Sequence, residues 1–420
     1  MKRHVLIIEP ISSGDGLPKA AKELNCHVTA LALNTGFVKI SPECLSNIDT
    51  LIEMNVSDER ELEQTIMNVN EKHPIDAILS GFEYFVPHAN RIAAKLGLPS
   101  NRLDWVEATR YKHLMYENFS QFHLPCPKTY IVHQAAEAYE AASIVGFPCI
   151  IKPSDGIGSS NVYKVWNAEE LDEKLSIIQN RPLEEDWQFA MSQTVLIQEF
   201  IDGEEISVET IVRNGEITFQ NVTDKIVTNG PCFVELGHLV PSKKDPLIID
   251  RILTVTRLLH QSLGIRFGAT HVEMRIVNGQ PIVIEVAARL PGGNIPSIIQ
   301  QSKGIDLWKE TVASYLDLPM EYTPDHPKGV CIRFLTTEKA GSFQIEGVDR
   351  IKDRPHLLKY SVKTCPFETS GRIENYADRY GYVITSGKDA EEALAEAEFC
   401  ISHLKWVEFV KSGAVENESE

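Results

Sequence analysis

Glu273 and Glu285 lie in two mainly apolar segments, Thr270-His271-Val272-Glu273-Met274-Arg275 and Ile282-Val283-Ile284-Glu285-Val286-Ala287-Ala288-Arg289, separated by Asn278-Gly279. Asn-Gly between such segments is the strongest short hairpin signal, so the two carboxylates are expected on adjacent buried strands. Side by side they repel each other and resist ionisation unless a cation lies between them. Magnesium, a hard ion that takes oxygen ligands and shares its shell with phosphates, meets that need. On a strand, Glu285, Ala287 and Arg289 share one face. A metal beside a fixed guanidinium suits chemistry on phosphate or carboxylate groups. The pairing carries a condition. A strict two-residue loop would set Glu273 opposite Ile284 and turn Glu285 away. The metal reading therefore expects an odd loop, such as three residues with a left-handed Gly279 in a bulge.

Other residues offer weaker signals. Lys152-Pro-Ser-Asp-Gly156-Ile-Gly158-Ser159-Ser160-Asn161 places a lysine at a strand end before a small-residue loop. Its glycines admit close backbone approach, and its amides and hydroxyls can donate to phosphate oxygens. It is not a Walker A loop, and an ordinary turn fits it as well. Gln198-Glu199-Phe200-Ile201 could hold a flat base through backbone groups, with Glu205 accepting from ribose hydroxyls; taken alone, a solvated acidic turn fits the segment better. Lys112 on a helix reads by itself as a surface charge. Lys225 is a candidate third cation near phosphates, and His238 in Gly237-His238-Leu239-Val240-Pro241 is ambiguous. Ser12-Ser13-Gly14-Asp15-Gly16 follows the first strand but lacks the dinucleotide glycine fingerprint.

The elements that must position these residues follow from periodicity. The first hundred residues alternate strand and helix, as in a parallel sheet: strands Val5–Ile8, Val28–Leu33 and Ile75–Leu79, helices Leu17–Leu24, Asp58–Asn70 and Val86–Leu96. A helix is expected over Trp105–Phe119. An α+β stretch follows, with helices Ala135–Val145 and Ala168–Gln179 and strands Cys149–Lys152, Val162–Val165 and Val195–Phe200. Ile206–Val212 is expected as the antiparallel neighbour of the last. Arg181–Asp186 reads as a loop, Val222–Pro241 as turn-rich, Pro246–Leu263 as a helix. Beyond Pro319 come strands Val330–Leu335, Gly341–Ile345, Leu357–Val362 and Gly381–Thr385 and a closing helix, Ala390–Val407. The resulting domains are 1–102, Rossmann-like; 103–320, a central α+β unit with 125–200 as a lid-like subdomain; 321–410, a small mostly-β module; and 411–420, a disordered acidic tail.

At 420 residues, two or three domains are expected. A net charge of −18 argues against nucleic-acid and anionic-membrane partners. Eight scattered cysteines without a Cys-x-x-Cys pair, and no membrane-length apolar run, point to the cytoplasm.

Taken in order, these pieces resemble the ATP-grasp ligases over residues 1 to about 405. The resemblance implies a fold in which two α+β subdomains clasp ATP, preceded by a Rossmann-like domain and followed by a module similar to the last domain of the biotin carboxylase branch. It assigns Lys112, Lys152, Gly156, Gly158, Ser159, Ser160, Gln198, Glu199, Phe200, Ile201, Glu205 and Lys225 to ATP. Glu273 and Glu285 would take one or two magnesium ions, with Mn2+ as a substitute. The segments Gly237-His238-x-x-Pro241 and Arg289-Leu290-Pro291-Gly292-Gly293 look closest to bacterial L-amino acid ligases. They place His238, Arg289, Pro291, Gly292 and Gly293 at the substrates, with Arg289 and His238 acting in the chemistry. Many relatives carry asparagine where this chain has Ala287, which cannot ligate a metal; Glu-Val-Ala-x-Arg is a variant among amino acid ligases. The implied activity is carboxylate–amine ligation through an acyl phosphate, joining amino acids. Alternatives are a carrier-protein or antibiotic-intermediate acceptor, a non-catalytic nucleotide module and, least favoured, a nicotinamide oxidoreductase. Relatives of this branch are often homodimers.

Overall fold

The computed structural model describes residues 2–36, 38–181, 192–319 and 328–409. The opening apolar runs form a parallel sheet of β1 (His4–Ile8), β2 (His27–Ala32), β3 (Thr50–Glu53) and β4 (Ala77–Ser80), in the order β3-β2-β1-β4. All five residues of β1 are buried, as expected of a strand covered on both faces. The short, half-exposed edge strand β3 was not anticipated; its four residues carry no strong pattern. The chain leaves β1 on one side for β2 and β3, then returns on the other for β4. The switch point between β1 and β4, where α/β sheets hold ligands, therefore opens at the loops beginning near Ile11 and Gly81.

A second, antiparallel sheet contains β5 (Thr129–Val132), β6 (Cys149–Pro153), β7 (Tyr163–Val165) and β8 (Val195–Glu199) in the order β5-β8-β6-β7. The helices Ala135–Val145 and Ala168–Gln179 pack on it through Ala138, Ala142, Leu171 and Leu175. The rest of the strands are β9 (Glu204–Arg213), β10 (Glu216–Val227), β11 (Glu235–Val240), β12 (Gly268–Val277), β13 (Gln280–Ala287), β14 (Gly329–Phe334), β15 (Ala340–Glu346), β16 (Leu357–Val362), β17 (Phe367–Ser370), β18 (Gly381–Gly387) and β19 (Lys405–Glu408). Eight of these form one sheet, β13-β12-β9-β10-β11-β14-β18-β16, and β17-β15-β19 form a small one. The amphipathic helix Pro246–Leu263 buries Ile252, Leu259 and Leu263 against Val272, Met274 and Val283. Among the described residues no helix is long and apolar enough to cross a membrane.

Several expectations need correction. β9 is not the neighbour of β8: it pairs with β10 and β12 in the large sheet, while β8 pairs with β5 and β6. Gly203 lies at the crossing, so close to Ile276 that a Cβ would stand 2.5 Å from its carbonyl oxygen. Residues 222–241 are mostly strand, since β10 and β11 pair from Asp224–Leu239 to Val227–Glu235 and the irregular stretch between them is confined to 228–234. The long helix expected from Trp105 is a 3-10 turn, Val106–Thr109, followed by a helix that starts at Lys112. The closing helix ends at His403, and Lys405–Glu408 becomes β19. Residues 182–186 of the expected loop and the expected tail lie outside the described residues.

Candidate active site

The hairpin β12–β13 satisfies its geometric condition by a different route. Val277 pairs with Gln280, so the loop is the strict two-residue Asn278-Gly279, both at positive φ (49° and 72°). The register holds through Met274–Val283 and then shifts, so that Glu273 stands opposite Glu285. The extra residue is Ile284, a bulge inside β13 rather than at the turn. The carbonyl of Ile284 accepts from the Tyr116 hydroxyl at 2.6 Å, and the amide of Val283 donates to Pro125 at 2.7 Å. Both carboxylates consequently face one cavity of about 990 Å³, together with Ala287 and Arg289.

That cavity is walled by the polar face of the large sheet. Glu205, Ser207 and Glu209 alternate on β9 and stand opposite Arg275, Glu273 and His271 on β12. Lys225 of β10, its side chain 1% exposed, lies 2.7 Å from Glu273, 3.0 Å from Glu235 and 3.3 Å from Glu205. Burial works against charge on Glu273, but Lys225 and His271 override it and hold the carboxyl well below its usual range. Burial likewise opposes charge on His271, yet its contacts with Glu209 (3.0 Å) and Glu273 (3.2 Å) raise it to about 9, an imidazolium at neutral pH. Lys225 is thus a hub among three carboxylates and is not among the residues lining the cavity.

On the opposite wall, Lys112 is the first residue of its helix and is buried. Its ammonium donates to the carbonyl of Gly156 at 2.6 Å and lies 2.9 Å from Glu285. Lys152, on β6, is equally buried; its nearest polar contact is the Tyr116 hydroxyl at 3.2 Å, and burial lowers its pKa against the pull of Glu285 and Glu273. Gly156, Gly158, Ser159 and Ser160 line the cavity, with Gly158 and Ser159 in the left-handed region. Gln198, Glu199, Phe200 and Ile201 form the next stretch of wall, and the Phe200 and Phe233 rings lie near-parallel, 6.3 Å apart. Glu205 is held by Arg275 at 3.0 Å.

Arg289 reaches across to the N-terminal sheet. Its Nε and Nη2 donate to Oε2 of Glu83 at 2.9 and 2.6 Å. Glu83, just past β4, is buried; burial would raise its pKa, but Arg289, Lys112 and Arg110 draw it down, so it stays ionised. His238 is fully buried on β11, 3.6 Å from Glu235, and neither ring nitrogen has a hydrogen-bond partner among the described residues. Burial drives its pKa down to about 4, so it is neutral. Gly293 sits so close that a Cβ there would lie 2.6 Å from Nε2. Gly292 and Gly293 line the cavity; His238 and Pro291 lie behind it. From the C-terminal region, Arg379 donates to Glu235 at 2.7 Å and also lines the cavity. Sequence reasoning passed over Glu83, Glu209, Glu235, His271 and Arg379. For Glu209 and His271 a signal existed: charged residues alternating with Val208, Val272 and Met274 on strands too apolar to be exposed.

Three family models match the chain. An ATP-grasp domain matches residues 145–297, an ATP-grasp N-terminal domain residues 19–100, and an L-amino acid ligase C-terminal domain 2 residues 333–407. The chain is an ATP-grasp ligase. Dapdiamide A synthase of Enterobacter agglomerans is 27% identical over 310 residues, 72% of this chain and 71% of that protein. The L-arginine-specific L-amino acid ligase of Bacillus subtilis is 23% identical over 64% of this chain and 65% of its own length. The crystal structure of an L-amino acid ligase from Bacillus licheniformis shares the fold with a TM-score of 0.78, at 21% identity over 97% of this chain and 99% of that one. The ATP-grasp ligase described here is accordingly of the carboxylate–amine class.

Proposed function

We propose that this ATP-grasp ligase joins an amino acid to the amine of a second amino acid through an acyl phosphate. The observation that carries the reading is Glu273 facing Glu285 across one hairpin, on the wall of a cavity that Lys112, Lys152 and Arg289 also line. The carboxylate of the first substrate attacks the γ-phosphorus of ATP, and the bond to ADP breaks. The amine of the second attacks the acyl carbon, loses a proton, and phosphate leaves. Such chemistry is mostly positioning and charge neutralisation.

The fit to magnesium rests on the donor set. Two carboxylates, oxygen donors only, stand opposite each other, and each already has a lysine against it, which is the positive charge such a pair demands. Glu273 and Glu285 would hold the ion, and Ala287 offers no further ligand. Bound there, magnesium supplies neutralisation of the phosphate oxygens. Lys152, with no carboxylate in ion-pair range among the described residues, is the cation left for the phosphates. The amides around Gly156–Ser160 close over them and exclude water. Gln198–Ile201 and Phe200 receive the adenine, and Glu205 the ribose. Arg289, fixed by Glu83, faces the developing oxyanion. His238, neutral and unpartnered, backs the Gly293 turn beside the substrates. The relative named as an L-arginine-specific L-amino acid ligase supports an amino acid as substrate.

The test is phosphate release from ATP and magnesium, screened over pairs of amino acids with mass detection. The expected product is the sum of two amino acids less water, with ADP formed in equal amount. ATP turnover indifferent to every pair, or AMP as the nucleotide product, would overturn the reading.

A further inference from the structure

A second cluster lies at the other end of β1 from the cavity. His4 opens β1, His27 opens β2, and the two are register partners on neighbouring parallel strands. His73 caps the helix Glu59–Lys72. The three rings meet: His4 and His73 are near-parallel at 4.3 Å between centroids, and His27 stands edge-on to both at 5.0 and 4.8 Å. One ring nitrogen from each lies within 4.8 Å of the others. We propose that His4, His27 and His73 form a binding site for a divalent transition-metal ion of the zinc class, separate from the magnesium carboxylates.

Imidazole is the ligand type that suits zinc, and three such ligands leave a fourth position for water. The surroundings match the outer contacts that hold metal-binding histidines in place. His4 Nδ1 lies 3.0 Å from the His73 carbonyl, and Nε2 lies 2.8 Å from the Thr29 hydroxyl. A hydroxyl can donate or accept, so whichever nitrogen binds the metal, the other keeps a hydrogen bond that fixes the ring. Asp49 lies 3.6 Å from His27 Nδ1, and Asp76 accepts from the His4 amide at 2.6 Å. The carbonyl end of the 14-residue helix also favours a cation. His73 is exposed and His27 half-buried, which leaves the cluster open to solvent and gives His73 room to turn its ring. Nothing in the ligase reaction calls for this site.

The experiment uses the full chain without a histidine tag, in excess magnesium to saturate the carboxylates. Zinc binding is measured by calorimetry, and cobalt binding by visible absorption. The expected result is one equivalent per chain, with cobalt bands of nitrogen and oxygen ligation and no thiolate charge-transfer band. His27→Ala and His73→Ala, at exposed or half-buried positions, should each weaken binding about tenfold or more. Their melting curves without metal should match the parent, which separates ligand loss from unfolding. Absence of a bound equivalent, a thiolate signature, or affinity unchanged in both variants would overturn the proposal.

Discussion

Arg289 owes its position to Glu83. Two of its nitrogens are spent on one buried carboxylate from the N-terminal sheet. Glu83→Gln keeps the volume and removes the charge, so Arg289 should lose its fixed pose without losing its own charge. The expected outcome is a fall in kcat of roughly 10- to 100-fold, as for lost supporting contacts, with KM for ATP within about twofold. Steady-state kinetics check it. Arg289→Met should likewise lower the rate far more than nucleotide affinity. A second residue-scale prediction concerns Glu9, whose side chain is fully buried with Oε2 unpartnered among the described residues and Oε1 accepting from the Leu33 amide. Burial, partly offset by that amide, raises its pKa from 4.5 to about 7. The folded state then binds the proton more tightly than the unfolded one. Its contribution is complete below about pH 4.5 and is lost as pH rises to 7, roughly 3 kcal/mol in all. Glu9→Gln should remove that part of the slope in denaturant titrations across this window.

At the level of elements, local pattern was legible and pairing partners were not. The helices Ala168–Gln179 and Pro246–Leu263 have the bounds that apolar spacing and Pro246 imply. The Asn278-Gly279 hairpin was equally readable. The same signal at Asn214-Gly215, which turns β9 into β10 with both residues at positive φ, was overlooked, and the β8–β9 pairing error followed. The bulge at Ile284 could not be read from the chain, because it depends on Tyr116 and Pro125, more than 150 residues away. Since the bulge, not the turn, brings Glu285 opposite Glu273, turn and site can be separated. Gly279→Ala forces a side chain to φ 72° and should cost about 1 kcal/mol in denaturant unfolding. Magnesium–nucleotide affinity should stay unchanged within error. A large loss of affinity would mean that the turn sets the register.

Across the whole molecule, the eight-stranded sheet ties the carboxylate hairpin to the C-terminal region. β11 pairs directly with β14, and β14 with β18. Chain beyond residue 328 is therefore part of the central sheet, and it delivers Arg379 to Glu235. Ending the chain at residue 328 would bare the β11 edge and the apolar faces of Leu239 and Ile332's neighbours. The truncated protein is expected to aggregate and to bind no nucleotide, measured by light scattering and calorimetry. Among the described residues, the four-stranded sheet that carries Lys152 and the glycine loop shares no ladder with this slab and forms a separate leaf. Across the gap, the Lys112 ammonium ties Gly156 to Glu285. A triphosphate bound as proposed would compete for that same ammonium and so loosen one of the contacts that hold the leaf, beside the Lys112 amide on the Ser154 carbonyl at 2.8 Å and the Lys164 amide on the Pro231 carbonyl at 3.0 Å. Amide hydrogen exchange at residues 154–162 should therefore be faster in Lys112→Met than in the parent before nucleotide is added. The protein would thus keep its gate shut with the very charge its fuel comes to claim.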